Sequence, residues 1–191
     1  MPQNSSIDSL KDKIWFTVKC RIRAERRHKQ YDQVSSLLIS ALSVCVIGVN
    51  LSQRYFSEQA PISEYTIFVA VFILALSLIV SQSHFEAAAT LHRECYLRLQ
   101  KIASEIKEPE ELSKAYNDIL AGYPNHSQLD YEAFIIESTL YSDKKLFDSG
   151  SNPIRWNRAM VAGQLWHAFL LWIVPFILVA ACAIAPFKLW H

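Results

Sequence analysis

The chain has 191 residues, 51% of them apolar, with 19 Lys and Arg against 18 Asp and Glu for a net charge of +1. Those totals alone suit one soluble domain, so the placement of the apolar residues decides the class. Four cysteines (Cys20, Cys45, Cys95, Cys182) without CxxC spacing suggest neither a disulfide framework nor a zinc site, and four glycines with no alternating run argue against a sheet.

The first thirty residues lack the short apolar core and small-residue cleavage site of a secretory signal. Leu10 to Asp32 reads instead as one helix, without Gly or Pro, in which Leu10, Ile14, Val18 and Ile22 recur every four positions opposite a basic face. The run Arg21, Arg23, Arg26, Arg27, Lys29 is expected just inside a membrane, held to anionic headgroups at about 1 kcal/mol per residue. Direct nucleic-acid binding is disfavoured, because no aromatic residues are interleaved with these bases as a stacking platform needs.

Val34 to Leu51 carries no charge and just meets the length of a span, about 18 residues at 1.5 Å rise against a core near 30 Å. Its four serines and Asn50 make it the weaker inserter. Tyr65 to Ser81 is the stronger one: 17 uncharged residues, 11 of them Ile, Leu, Val or Phe, which favour insertion by roughly 3 to 6 kcal/mol together. The helical pattern then continues to Lys107 without a break and stops at Glu108–Pro109. Along it Phe85, Ala89, His92, Tyr96, Leu99, Ala103 and Ile106 alternate steps of four and three, a seam that needs a partner helix. The N-terminal helix is the natural partner.

A short helix is expected from Pro109 to Leu120, with Glu110 and Glu111 at the positive end of its dipole, and another from Gln128 to Leu140. Between them lies Tyr123-Pro124-Asn125-His126-Ser127. Asn125 and His126 with Asp130, Tyr131 and Glu132 put an imidazole and two carboxylates within a turn and a half. Capping by Ser127 or Asn125 accounts for them, and they are also a candidate partner or activation surface; catalysis is the reading with least support. Ser142 to Asn152 is loop-like, Pro153 marks a boundary, and Leu165 to Phe187 is a third span or an interfacial helix, interrupted by His167 and Pro175 and flanked by Trp156, Trp166, Trp172 and Trp190.

The fold class that follows is all-α and membrane-embedded. Residues 1–33 form a basic cytoplasmic helix, 34–81 a two-span hairpin (34–51 and 65–81), 82–158 a cytoplasmic helical region and 159–191 a third transmembrane or interfacial helix. Eight Lys and Arg in 1–33 and nine in 82–164, against Arg54 alone in the loop 52–64, place the N-terminus in the cytoplasm. No phosphate loop, nucleophile elbow or zinc-spaced histidine pair is present, so no enzyme activity, cofactor or metal is expected. On the first span Ser36, Ser40, Ser43 and Asn50 fall within an arc of about 80°; on the second, Thr66, Ser77 and Ser81 share a face with Ala70. Such stripes permit close helix packing, or line water in a homo-oligomer.

The run Trp15-Phe16-Thr17-Val18-Lys19-Cys20-Arg21-Ile22-Arg23-Ala24-Glu25-Arg26-Arg27, the hairpin, the helix with Phe85, Glu86 and Tyr96, and the later Tyr123-Pro124-Asn125-His126 and Asp130-Tyr131 resemble the SLATT family. These are two-span effector domains associated with SMODS nucleotidyltransferases and SLOG sensors of bacterial conflict systems, and the chain looks most like the fifth subgroup, whose members can accompany retron-type reverse transcriptases. The resemblance implies an oligomeric, non-enzymatic effector of the bacterial inner membrane, which forms a pore when a nearby-encoded sensor partner reports infection. A third span departs from the two-span description. Two other classes are weighed: a membrane anchor or scaffold that recruits a soluble partner, and an integral-membrane enzyme, weakest because polar residues suited to catalysis are missing at membrane depth.

Overall fold

The computed structural model describes residues 2–52, 62–141 and 154–189, and every regular element among them is helical. The expected loop Ser142 to Asn152, Pro153, Arg54 and Trp190 lie outside the described residues.

Helix α1 runs from Pro2–Ser52. The basic helix and the first span are therefore one rod, not two elements meeting near residue 33. Nothing in the backbone demands a break there: the switch from charged to apolar residues changes the surroundings of the helix and leaves its i to i−4 bonds intact. Helix α2 (Ile62–Gln82) is the second span, and α3 is Phe85–Glu105. Here the expectation of one unbroken helix to Lys107 is corrected. The chain breaks at Ser83 and His84, where His84 takes φ 48°. Ser83 Oγ bonds the Ile79 carbonyl at 2.9 Å and Ser83 N reaches Val80 O at 3.1 Å, local bonds that compete with the helical ladder.

Helices α4 (Pro109–Ala121) and α5 (Gln128–Tyr141) follow. Pro109 pre-sets the first turn of α4 and needs no hydrogen-bond partner there. The third apolar stretch forms α6 (Arg158–Ala168), a π-helical turn (Phe169–Ile173) and α7 (Val174–Leu189). Asn157 starts it, its Oδ1 accepting the Met160 N–H at 2.9 Å. His167 and Pro175 do not interrupt it. Pro175 lacks an N–H and its ring crowds the Leu171 carbonyl, and the helix answers with one widened turn.

The chain divides into two units, Met1–Lys29 with Glu86–Leu165, and Gln30–Phe85 with Trp166–His191. In the first, Ile14 and Val18 of α1 meet Cys95 and Leu99 of α3 and Leu112 and Tyr116 of α4 in one buried cluster, so the α3 seam has its partner in the N-terminal helix. In the second, Leu42, Val69 and Cys182 bring α1, α2 and α7 together.

Three stretches, Ile7–Leu51, Glu64–Glu105 and Arg158–Ile184, are each long and apolar enough to cross a bilayer. Only 17%, 11% and 6% of their most apolar windows is buried within the chain. Leu37, Val44, Phe68, Val71, Leu170 and Phe176 stand exposed, far more apolar surface than a soluble monomer presents. Lipid or neighbouring copies must cover it.

Proline also explains how α7 joins the hairpin. Pro186 has no N–H for the Cys182 carbonyl four residues back, and the Tyr65 hydroxyl of α2 donates to that carbonyl at 2.9 Å instead. At a site without water such a donor matters. Tyr65→Phe is expected to lower the stability of the detergent-solubilised protein by about 1–2 kcal/mol, measured by thermal unfolding followed by circular dichroism; an unchanged midpoint would show that this carbonyl has another donor.

Candidate functional site

Two motifs a hundred residues apart in sequence meet in the first unit. Phe16 of α1 lies 5.6 Å from the Tyr131 ring of α5 and 5.1 Å from Phe134, and Trp15 sits edge-on to Phe134 at 5.7 Å, centroid to centroid. Arg21 Nη1 donates to the Pro124 carbonyl at 2.6 Å. Arg27 makes a two-point contact with Asp130, Nε to Oδ1 at 2.8 Å and Nη2 to Oδ2 at 3.0 Å. Arg23 pairs with Glu137.

Asp130 is the hub. Ser127 precedes α5 and caps it, its Oγ accepting from Asp130 N at 3.3 Å, while Asp130 Oδ2 accepts from Ser127 N at 2.9 Å and from Ser127 Oγ at 2.8 Å. This is a capping box with Asp in the third position. The same carboxylate thus closes its own helix and binds α1. Burial alone pushes the Asp130 carboxyl up, but the hydrogen bonds from Arg27 and Ser127 and the Arg27 charge together outweigh it and hold the group below the usual carboxylate range.

Around this pair sit Arg21, wholly without exposed surface, and three imidazoles. His28 and His92 stack with ring centroids 5.5 Å apart. Burial first, then Arg21, His28 and Arg27, push His92 down to about 4, with Asp130 opposing. His28 is lowered by burial and then Arg27, and His126 by burial and then Arg21. Arg21 Nε and Nη2, His92 Nδ1 and His126 Nδ1 are buried with no hydrogen-bond partner among the described residues. The Cys20 thiol is pushed up to about 12 by burial and then by Asp130, so it stays protonated at neutral pH. No group of His, Cys, Asp or Glu suited to a metal ion occurs among the described residues.

Two expectations change. Of the basic run assigned to headgroups, Arg21 is buried and Arg23 and Arg27 are engaged with α5, while Lys29 pairs with Glu25 at 2.6 Å and Arg26 is exposed. The internal carboxylates and the Pro124 carbonyl take those cations first. As a partner surface, Asn125 is exposed and His126 and Tyr131 are half-buried, but Asp130, 2% exposed, faces inward. Sequence reasoning missed Arg21 as an interior group and His28 as a half-buried one, although they continue the Ile14 and Val18 stripe at steps of three and seven. It also missed Thr17, whose Oγ1 meets the Tyr116 hydroxyl at 3.0 Å.

In the second unit the stripes part company. Leu38, Leu42, Cys45 and Val46 make the packed face of α1, whereas Ser36, Ser40 and Asn50 are exposed and Ser43 is half-buried. At 100° per residue the two faces are centred roughly 140° apart. Ser40 Oγ donates to Ser36 O at 2.8 Å, Ser43 Oγ to Ile39 O at 2.8 Å and Asn50 Nδ2 to Val46 O at 2.9 Å. On α2, Thr66 is buried, Ser77 half-buried and Ser81 exposed, so that stripe borders the packed face. At the other end of the unit Tyr31 OH lies 2.6 Å from His167 Nε2 and its ring 5.4 Å from Phe85, joining three helices.

Helical, with three stretches long and apolar enough to cross a bilayer, the chain is a membrane protein of the all-α class. Residues 3–181 match the model of the SMODS and SLOG-associating 2TM effector domain family 5. The chain belongs to that family. The matched region takes in most of the third apolar helix as well as the hairpin. No curated protein and no solved structure matches it.

Asp130→Ala removes the carboxylate and leaves Arg27 beside α5 without its charge partner, at an expected cost of about 3–5 kcal/mol. Ser127→Ala loses a cap alone, about 1 kcal/mol. Denaturant unfolding of the solubilised protein separates the two, and equal losses would mean that the Arg27 pair contributes nothing.

Proposed function

We propose that the protein is an oligomeric effector of the bacterial inner membrane, its N-terminus cytoplasmic, which opens a pore around the hydroxyl-bearing face of α1 once a sensor partner of SMODS or SLOG type, or an associated reverse transcriptase, signals. The observation that carries this reading is the division of α1 within the second unit. Its hairpin contacts use Leu38, Leu42 and Cys45, and leave Ser36, Ser40 and Asn50 uncovered by the chain itself. Polar side chains at membrane depth belong against protein or water.

The i to i−4 bonds of Ser40, Ser43 and Asn50 let a single copy stand in lipid, because their donors are already satisfied. Ser40 and Ser43, having given their hydroxyl protons to the chain, keep oxygen lone pairs to offer as acceptors. In an assembly that brings several α1 helices together, those oxygens face a common axis and replace part of the hydration of a passing ion. Assembly then supplies the polar surroundings that one copy lacks.

Purified protein reconstituted in liposomes at raised protein-to-lipid ratio is expected to release an entrapped small ion. Ser36→Leu, Ser40→Leu and Ser43→Leu together are expected to cut that release by at least about tenfold while cross-linking still captures the oligomer. Undiminished release from an intact assembly rejects the lumen role of α1. Recruitment of a soluble partner to the vesicles without any release replaces the pore with a membrane anchor.

A further inference from the structure

Arg21, with no exposed surface, is the largest of the fully buried side chains among the described residues, and its guanidinium is a permanent cation. The two buried carboxylates of the described residues are both engaged elsewhere. Asp130 receives the two-point contact of Arg27 together with both donors of Ser127, and Glu25 receives Lys29 and the Tyr96 hydroxyl. Nη1 of Arg21 does reach the Pro124 carbonyl, at 2.6 Å, but that acceptor is a dipole and carries no charge. A cation buried in this way is costly until a counter-charge joins it.

The remaining nitrogens of Arg21 show where that counter-charge belongs. Nε and Nη2 stand on one edge of the guanidinium with their N–H bonds nearly parallel, the edge that receives both oxygens of a carboxylate or one small anion. Arg27, six residues on, has the same edge in use, Nε on Asp130 Oδ1 at 2.8 Å and Nη2 on Oδ2 at 3.0 Å. In Arg21 that pair is buried with no hydrogen-bond partner among the described residues. The surroundings add donors and no acid: His126, two residues beyond Pro124, and His92 of α3, 2% exposed, each bury an Nδ1 without a partner, and the Arg21 charge is felt at both rings. Water would satisfy the N–H groups and leave the charge uncompensated.

We infer that Arg21 anchors a buried binding site for one small monovalent anion, a halide or a planar oxyanion such as nitrate or bicarbonate, enclosed by α1, α3 and the Tyr123–Ser127 turn. The ion accepts from Nε and Nη2 of Arg21 and selects in His92 and His126 the tautomer that donates from Nδ1. It thereby ties the turn to the helical seam beneath it. One uncompensated positive charge suits one negative charge, which sets the site apart from a phosphate or sulfate site. Its occupancy makes the packing of the charged unit depend on the small anions around it, whatever the spans conduct.

The full chain in detergent is dialysed to equilibrium against radiolabelled chloride in sodium gluconate at constant ionic strength. Saturable uptake of one ion per chain is expected. Competition by unlabelled bromide, nitrate and bicarbonate then identifies the occupant: displacement by bromide alone supports a halide site, and displacement by nitrate or bicarbonate as well supports one that takes planar oxyanions. Arg21→Lys keeps the charge and loses the two-point edge, so it is expected to weaken uptake by about tenfold or more. His126→Ala, a change in the half-buried turn that serves if Arg21→Lys does not fold, is expected to weaken it by up to about tenfold. No saturable uptake by the folded wild type leaves the Arg21 edge to water and overturns the site, and so does uptake indifferent to both variants, which puts the ion elsewhere in the chain.

Discussion

Asp130 is the point on which the first unit turns. A carboxylate almost without exposed surface is costly to bury unless every lone pair is used, and here Arg27 and Ser127 use them. The bonds run in two directions at once. Ser127 and Asp130 end the turn and start α5, and Arg27 ties that start to α1 across a separation of 103 residues. Without the carboxylate, the Arg21 contact to Pro124 and the packing of Phe16 on Tyr131 would lose the element that presents them. The arrangement is less a reservoir of stability than a means of fixing one docking of α5, since an ion pair of this kind barely offsets its own desolvation.

The second organising constraint is that α1 serves two surroundings with one uninterrupted backbone. Its first part packs through Ile14, Val18, Arg21 and Ala24, its last part through Leu42 and Val49. A helix crossing from water to hydrocarbon keeps all its main-chain bonds internal, so only the side chains need change. Conflicts appear where the main chain cannot keep its own bonds, at Pro175 and Pro186. One is answered by a π-helical turn and the other by a hydroxyl borrowed from Tyr65. The borrowed bond makes the third apolar helix part of the same packed unit as the hairpin, although the family description speaks of two spans.

Much of this is readable from residues, and the exceptions have physical causes. The starts of α4 and α5 are legible because Pro109 and Ser127 act within one turn, and the spans because length and apolarity suffice. The break at His84 is not legible: Ser83 and His84 are tolerated in helices, and the bond from Ser83 to Ile79 is one that Ser40, Ser43 and Thr90 make within unbroken helices. The inward position of Arg21 is hidden for a different reason. A step of four, as in Leu10, Ile14, Val18 and Ile22, walks about 40° around the helix each time, so the face that packs shifts to steps of four and three. Continued that way from Val18, the stripe passes through Arg21, Glu25 and His28, polar residues that a hydrophobic pattern ignores. Likewise Ser36 and Ser40 carry no sign in sequence of whether they meet the hairpin or face away, because that depends on which side of α1 its neighbours Val69 and Cys182 occupy.

That polar continuation of an apolar seam has a consequence for how the unit can come apart. Apolar contacts among Ile14, Leu99 and Leu112 are indifferent to charge and lose little when the surroundings acidify or a ligand arrives. Contacts built on Arg21, His92 and Asp130 are strong only while the count of charges is kept, because in a poorly hydrated interior one added charge is felt by every neighbour. The first kind joins α1, α3 and α4, and under α5 the two kinds stand together, the Arg27–Asp130 pair beside the buried Phe134 and Ile135. In a core of that mixture only the polar part, with His92 buried and His28 and His126 half-buried around Arg21, depends on the count of charges.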